Sequence, residues 1–147
     1  MGQYTDFFVA SEQDAARYKF IVREDTDESD DFLAGMARVE HKNITGLELG
    51  ALWAILKERE FSIDSHSMIT LPVEEEDGSF TEQIPGELNG LLAAMTPAVI
   101  NSAARKWAEV EELMHSAEEL GDVLSDLMRL ANEAAATGKN LYIWCEV

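Results

Sequence analysis

Two stripes of apolar residues at helical spacing organise the second half of the chain. Ile100, Ala103, Trp107, Val110 and Met114 recur at intervals of three and four, which lays them down one side of an α-helix. Thr96-Pro97 marks the start of that helix, a hydroxyl N-cap followed by a proline whose fixed φ suits the first helical position. Leu120, Leu124, Leu127, Ala131 and Ala134 make a second stripe. Ser116 and Glu119 have the spacing of a capping box at its start, and Gly138 beside Lys139 is placed to end it. The pattern predicts two helices with a bend near His115, or one bent helix, delivering the chain into a terminal strand, Leu141 to Val147.

Earlier segments alternate between the two periods. Tyr4 to Ala10 is aromatic and β-rich and predicts a first strand. Ser11 then caps a short helix through about Tyr18, with Glu12 and Asp14 in the first turn where the helix dipole favours them. Phe20-Ile21-Val22 is apolar and fits either type. Between Arg23 and Phe32 six acidic side chains crowd the chain (Glu24, Asp25, Asp27, Glu28, Asp30, Asp31), which predicts a solvated loop. Met36 to Lys42 alternates loosely and predicts a strand. Thr45 opens a wide-striped helix through Leu47, Leu49, Leu52, Trp53, Ile55 and Leu56. From Phe61 to Ile84 the period falls to two. Met68–Val73 and Ser79–Ile84 flank Glu74-Glu75-Glu76-Asp77-Gly78, a hairpin whose Asp-Gly pair suits a tight turn and whose Pro72 belongs on a sheet edge. Glu87 to Met95 predicts one more short helix.

These elements predict an α+β fold: a small mixed or antiparallel sheet with helices packed on one face, the C-terminal helices leading into the terminal strand. At 147 residues the chain is expected to form a single domain, 1–147, with its own core. Phe8, Val39, Leu49, Trp53, Leu56, Trp107, Leu124, Leu127 and one face of the terminal strand are the expected core. This layout resembles a class of small bacterial proteins with no assigned activity. The resemblance is carried by Thr45-Gly46-Leu47-Glu48-Leu49-Gly50 entering a helix and by the ending Gly138-Lys139-Asn140-Leu141-Tyr142-Ile143-Trp144. It implies no catalytic residues.

Charge narrows the function classes. Eleven Lys and Arg stand against 29 Asp and Glu, a formal net charge of −18. Such a field repels nucleic-acid phosphate and anionic lipid, and it speeds association with a basic partner. The same charge also serves simple solubility. A single cysteine, Cys145, rules out an internal disulfide and points to a reducing cytoplasm. No signal peptide is legible, and no run of about 18 apolar residues is available to span a membrane.

Candidate chemistry is sparse. Asp25, Asp27, Ser29 and Asp31 alternate like the first ligands of a calcium loop. The turn position, however, is Asp30 where glycine is wanted, and the bidentate glutamate position is Met36. His41, His66 and His115 lie far apart, without the paired spacing of a metal site. His115 reads as an end-of-helix histidine and His66 as a loop residue. There is no Gly-x-Ser-x-Gly nucleophile motif, and Gly46 and Gly50 have no phosphate-binding lysine beside them. Cys145 shares a strand face with Leu141, Ile143 and Val147, where a buried thiol is inert. Glu109, Glu111, Glu112, Glu118 and Glu119 spread around helix exteriors. Trp53 and Trp107 fall on apolar helical stripes and belong to the core, as does Trp144.

No catalytic, cofactor-binding or metal-binding residue is therefore assigned, and an enzyme is not the favoured reading. The chain reads as a non-catalytic acidic module that recognises a basic protein partner, in the manner of an immunity or regulatory protein. The alternative is a small-molecule enzyme or ligand binder whose site is assembled from scattered residues. The candidate contact strips are Asp25, Asp27, Glu28, Asp30 and Asp31, and the predicted hairpin tip Glu74, Glu75, Glu76 and Asp77.

Overall fold

A computed structural model of the protein describes residues 4–24, 27–60, 62, 65–71, 80–110 and 115–146. Strands β1 (Tyr4–Ala10), β2 (Arg38–Lys42), β3 (Ile69–Thr70), β4 (Phe80–Gln83) and β5 (Asn140–Glu146) alternate with helices α1 (Glu12–Glu24), α2 (Asp27–Ala34), α3 (Gly46–Leu56), α4 (Gly86–Ala93), α5 (Pro97–Trp107) and α6 (Ala117–Thr137). All strand pairs are antiparallel, in the order β2-β1-β5-β4-β3. The first and last strands are thus neighbours at the middle of the sheet. Register runs from Tyr4 opposite Glu146 to Ala10 opposite Asn140.

Strand alternation sorts these residues into two layers. Phe7, Val9, Leu141, Ile143 and Cys145 face α3, α4, α5 and α6 in the main core, with Leu49, Trp53, Trp107, Leu124 and Leu127. Phe8, Ala10, Tyr142 and Trp144 face the other way, against Ala15 and Tyr18 of α1. The α+β class, the antiparallel sheet and the four later helices on one face agree with the sequence expectation. The second face is covered too, by α1 and α2. Phe8 accordingly belongs to this second layer, and Phe7 takes the place expected of it in the main core. Val39 and Leu56 are only partly buried against that core.

The predicted caps are in place. Thr96 accepts from the Val99 amide at 3.3 Å, and Ser116 and Glu119 bond reciprocally at 3.1 and 3.2 Å. Gly138 ends α6 in the left-handed region at φ 68°, which lets the Lys139 amide reach the Ala134 carbonyl at 3.0 Å. α5 and α6 are two helices, as one of the two sequence readings had it. β3 and β4 pair as the predicted hairpin would, with β3 on the sheet edge, while Pro72 and the Asp77-Gly78 turn lie outside the described residues. No described helix is long and apolar enough to cross a membrane.

Two segments depart from expectation. α1 continues beyond Tyr18 to Glu24, because Ala15, Tyr18, Ile21 and Val22 prolong one apolar side. The acidic tract is not a loop from Asp27 onward; it is α2. Asp27, Glu28 and Asp30 occupy its first turn, where carboxylates are favoured by the helix dipole. Ser29, Phe32 and Leu33 follow at helical spacing, Ser29 buried and the other two packed on the second layer. Tertiary packing overrides the solvation that the charge density suggests.

α6 supplies the clearest packing test. Leu127 is fully buried among the main-core residues. Leu127→Ala is expected to cost about 2–5 kcal/mol, from lost transfer energy plus a residual cavity. Chemical denaturation measures it, and a loss well under about 1 kcal/mol would move Leu127 to the surface.

Candidate functional site

The exposed strip singled out by charge is carried on α2. Asp27, Glu28, Asp30 and Asp31 are all exposed. No described residue pairs with any of them. The helix holds them pointing outward while Ser29 turns inward, so the alternate-residue geometry of a calcium loop does not form from Asp27 onward. Asp25, and the whole second strip Glu74, Glu75, Glu76 and Asp77, lie outside the described residues.

A second polar group is buried in the other layer, and sequence reasoning missed it. Asp6 projects from β1 beneath α1 and is 5% exposed. The Tyr18 hydroxyl donates to its Oδ2 at 2.7 Å, the Arg38 Nε donates to the Tyr18 oxygen at 3.0 Å, and Arg38 Nη2 lies 3.5 Å from Asp6 Oδ2. β1–β2 register places this set: Asp6 stands opposite Glu40 and Phe8 opposite Arg38, all on one sheet face. Burial pushes the Asp6 carboxyl above its ordinary range, against the opposing pull of Tyr18 and Arg38. Burial and the neighbouring Asp6 charge push the Tyr18 phenol upward. The available signal was a lone charged residue in a strand otherwise uncharged and mostly aromatic or apolar.

The three histidines have separate structural partners. His41 Nε2 sits 3.0 Å from Asp126 on α6, with its ring edge-on to Phe7. His115 Nε2 contacts the Lys42 carbonyl at 2.7 Å and its Nδ1 lies 3.3 Å from Glu119. His115 precedes the N-cap of α6 and does not end a helix; Glu119 and the Lys42 carbonyl hold it in place. His66 does lie in a loop, but it is buried, accepting from the Ser62 amide at 3.0 Å and packing edge-on to Trp53. Among the described residues no three His, Cys, Asp or Glu side chains converge as metal ligands would.

Cys145 is buried in the main core, where burial pushes its thiol up to about 12. A thiol so held is protonated at neutral pH and is no nucleophile. Glu48, likewise buried, accepts from Thr45 at the start of α3, and its backbone carbonyl accepts from the Trp107 indole at 2.9 Å. These groups fix α3 against α5.

Two cavities among the described residues lie away from the buried acid. One of about 290 Å³ runs between α3 and α5, lined by Ile55, Leu56, Val99 and Ala103 with Glu58 and Lys106. Another of about 310 Å³ separates α1 from α2 at Arg17, Phe20, Glu28 and Phe32. Neither is lined by Asp6, Tyr18 or Arg38. The arrangement can present charge and apolar grooves at its surface, while the buried Asp6 carboxyl, whose pKa is raised, is capped by α1.

No family model matches this chain, and no curated protein does. One solved structure, the crystal structure of a protein of unknown function, YfbM from Escherichia coli, is similar at 14% sequence identity and a TM-score of 0.40, over 100% of each chain. It brings no site residue to this chain.

Proposed function

We propose that this chain is a non-catalytic recognition module of the bacterial cytoplasm that binds a basic protein partner. The observation that carries the reading is the outward carboxylate set of α2, Asp27, Glu28, Asp30 and Asp31, held on a packed helix and left without a cation among the described residues. A net charge of −18 gives that surface a long-range attraction for a basic partner. A helix is a better platform than the loop expected, since its backbone is already ordered and loses less freedom on binding.

A small-molecule enzyme or ligand binder is the second reading, and the raised pKa of Asp6 is what favours it. Against it, Asp6 is already engaged by Tyr18 and Arg38 under α1. A catalytic acid needs a route to substrate.

The test is capture from native cytosol at low salt, followed by kinetics with the purified partner. Asp27→Asn, Glu28→Gln, Asp30→Asn and Asp31→Asn are combined in one variant. Association is expected to slow by about tenfold or more and to lose much of its salt dependence, with dissociation nearly unchanged. A partner bound equally by the neutralised variant, or a small molecule retained in place of any protein, overturns the reading.

A further inference from the structure

β2 is an edge strand, and its register shows which backbone groups are left open. The Val9 amide donates to the Ala37 carbonyl, in line with the pairing of Phe7 with Val39 and Thr5 with His41. In an antiparallel ladder these alternate residues turn their N–H and C=O toward β1. Arg38, Glu40 and Lys42 therefore turn theirs outward. His115 takes the Lys42 carbonyl. No described residue takes the amide or carbonyl of Arg38 or Glu40, or the amide of Lys42.

The flank of α6 beside this edge is acidic. Glu119, Asp122 and Asp126 follow at intervals of three and four, which puts them on one side of the helix. That side is located by two contacts: Glu119 joins the His115 that caps Lys42, and Asp126 joins His41 on β2. Asp122 lies between them, exposed and with no partner among the described residues.

We infer that the outer edge of β2 accepts an extended basic segment of a partner protein as an added strand, with a lysine or arginine side chain of that segment over the α6 carboxylate Asp122. The inference rests on the reading of the chain as an acidic recognition module and names a second surface for it. Backbone pairing supplies affinity in strand addition, and alternate side chains supply selectivity. A second copy of the chain is a poor occupant. Centring a two-fold pairing on Glu40 sets glutamate against glutamate and Arg38 against Lys42, and two chains of net charge −18 repel.

The probe is a short labelled peptide alternating lysine and valine, followed by amide shifts of the full chain and by anisotropy. Shifts are expected at Arg38, Glu40 and Lys42, with binding that weakens as salt rises. Glu40→Pro removes an outward donor without breaking a bond to β1, as edge strands tolerate, and binding is expected to fall by about tenfold or more. Asp122→Asn, a surface change that leaves packing alone, is expected to weaken binding severalfold and to reduce its salt dependence. Equal binding by Glu40→Pro with an unchanged denaturation midpoint overturns the inference. So does equal binding of a glutamate–valine peptide, self-association through β2, or no binding at all. Shifts confined to Asp27–Ala34 overturn it while leaving the module reading intact. Loss of the native partner on neutralising α2 is scored separately, so the two ideas fail independently.

Discussion

Truncation after Gly138 is expected to leave no cooperatively folded protein. β5 is the middle strand of the sheet, paired along its length with β1 and on its other side with β4. Leu141, Tyr142, Ile143, Trp144 and Cys145 are all buried, alternately in the main core and in the second layer. Burying a large apolar side chain is worth about 1.5–3 kcal/mol. Removing these residues therefore costs as much as the roughly 5–15 kcal/mol that holds a typical domain together. β1 and β4 lose their shared neighbour, and both layers open to water. Expression of residues 1–138 with thermal and chemical melts is the measurement. A soluble product with a single sharp transition would mean that β1 and the helices hold together without the strand that joins them.

Legibility in the sequence follows the range of the interactions involved. The N-caps at Thr96 and Ser116, the stop at Gly138 and the apolar stripe of α6 are local, so the residues that write them also satisfy them. β1 was readable for the same reason, being aromatic and β-rich from Tyr4 to Ala10. The acidic tract was not. Its charge density argues for a solvated loop, and only docking of Ser29, Phe32 and Leu33 onto the second layer makes Asp27–Ala34 a helix. That docking is tertiary and leaves no local sign. Asp6 was missed because its partners arrive from α1 and from β2, at separations that only the β1–β2 register and the placement of α1 bring together. Strand order is equally silent in the chain, so nothing marked β2 as an edge. Of the candidate contact residues, the α2 carboxylates kept their exposure while changing their scaffold.

Asp6 is the single polar residue whose loss is expected to be most damaging. Asp6→Ala leaves the Tyr18 hydroxyl beside a void and Arg38 without its carboxylate. Breaking a buried pair by removing one member costs about 3–5 kcal/mol. The Arg38 side chain keeps 30% of its exposure, so water recovers part of that cost and about 2–4 kcal/mol is expected. Asp6→Asn separates shape from charge, since an amide oxygen still accepts from Tyr18. Its effect is expected to depend on pH with a definite sign. The folded carboxyl titrates above its ordinary value of 3.8, so the native state holds the proton more tightly than the unfolded chain does. The stability that this linkage contributes is complete below 3.8 and is lost as pH rises through the elevated folded value. The stability of the wild type should therefore fall relative to that of Asp6→Asn as pH rises from 3.8 toward neutrality, with the gap constant beyond the folded titration. Urea denaturation of both proteins across that interval measures the slope. A gap that moves the other way would show that Arg38 and Tyr18 outweigh burial and hold the folded carboxyl below its ordinary value.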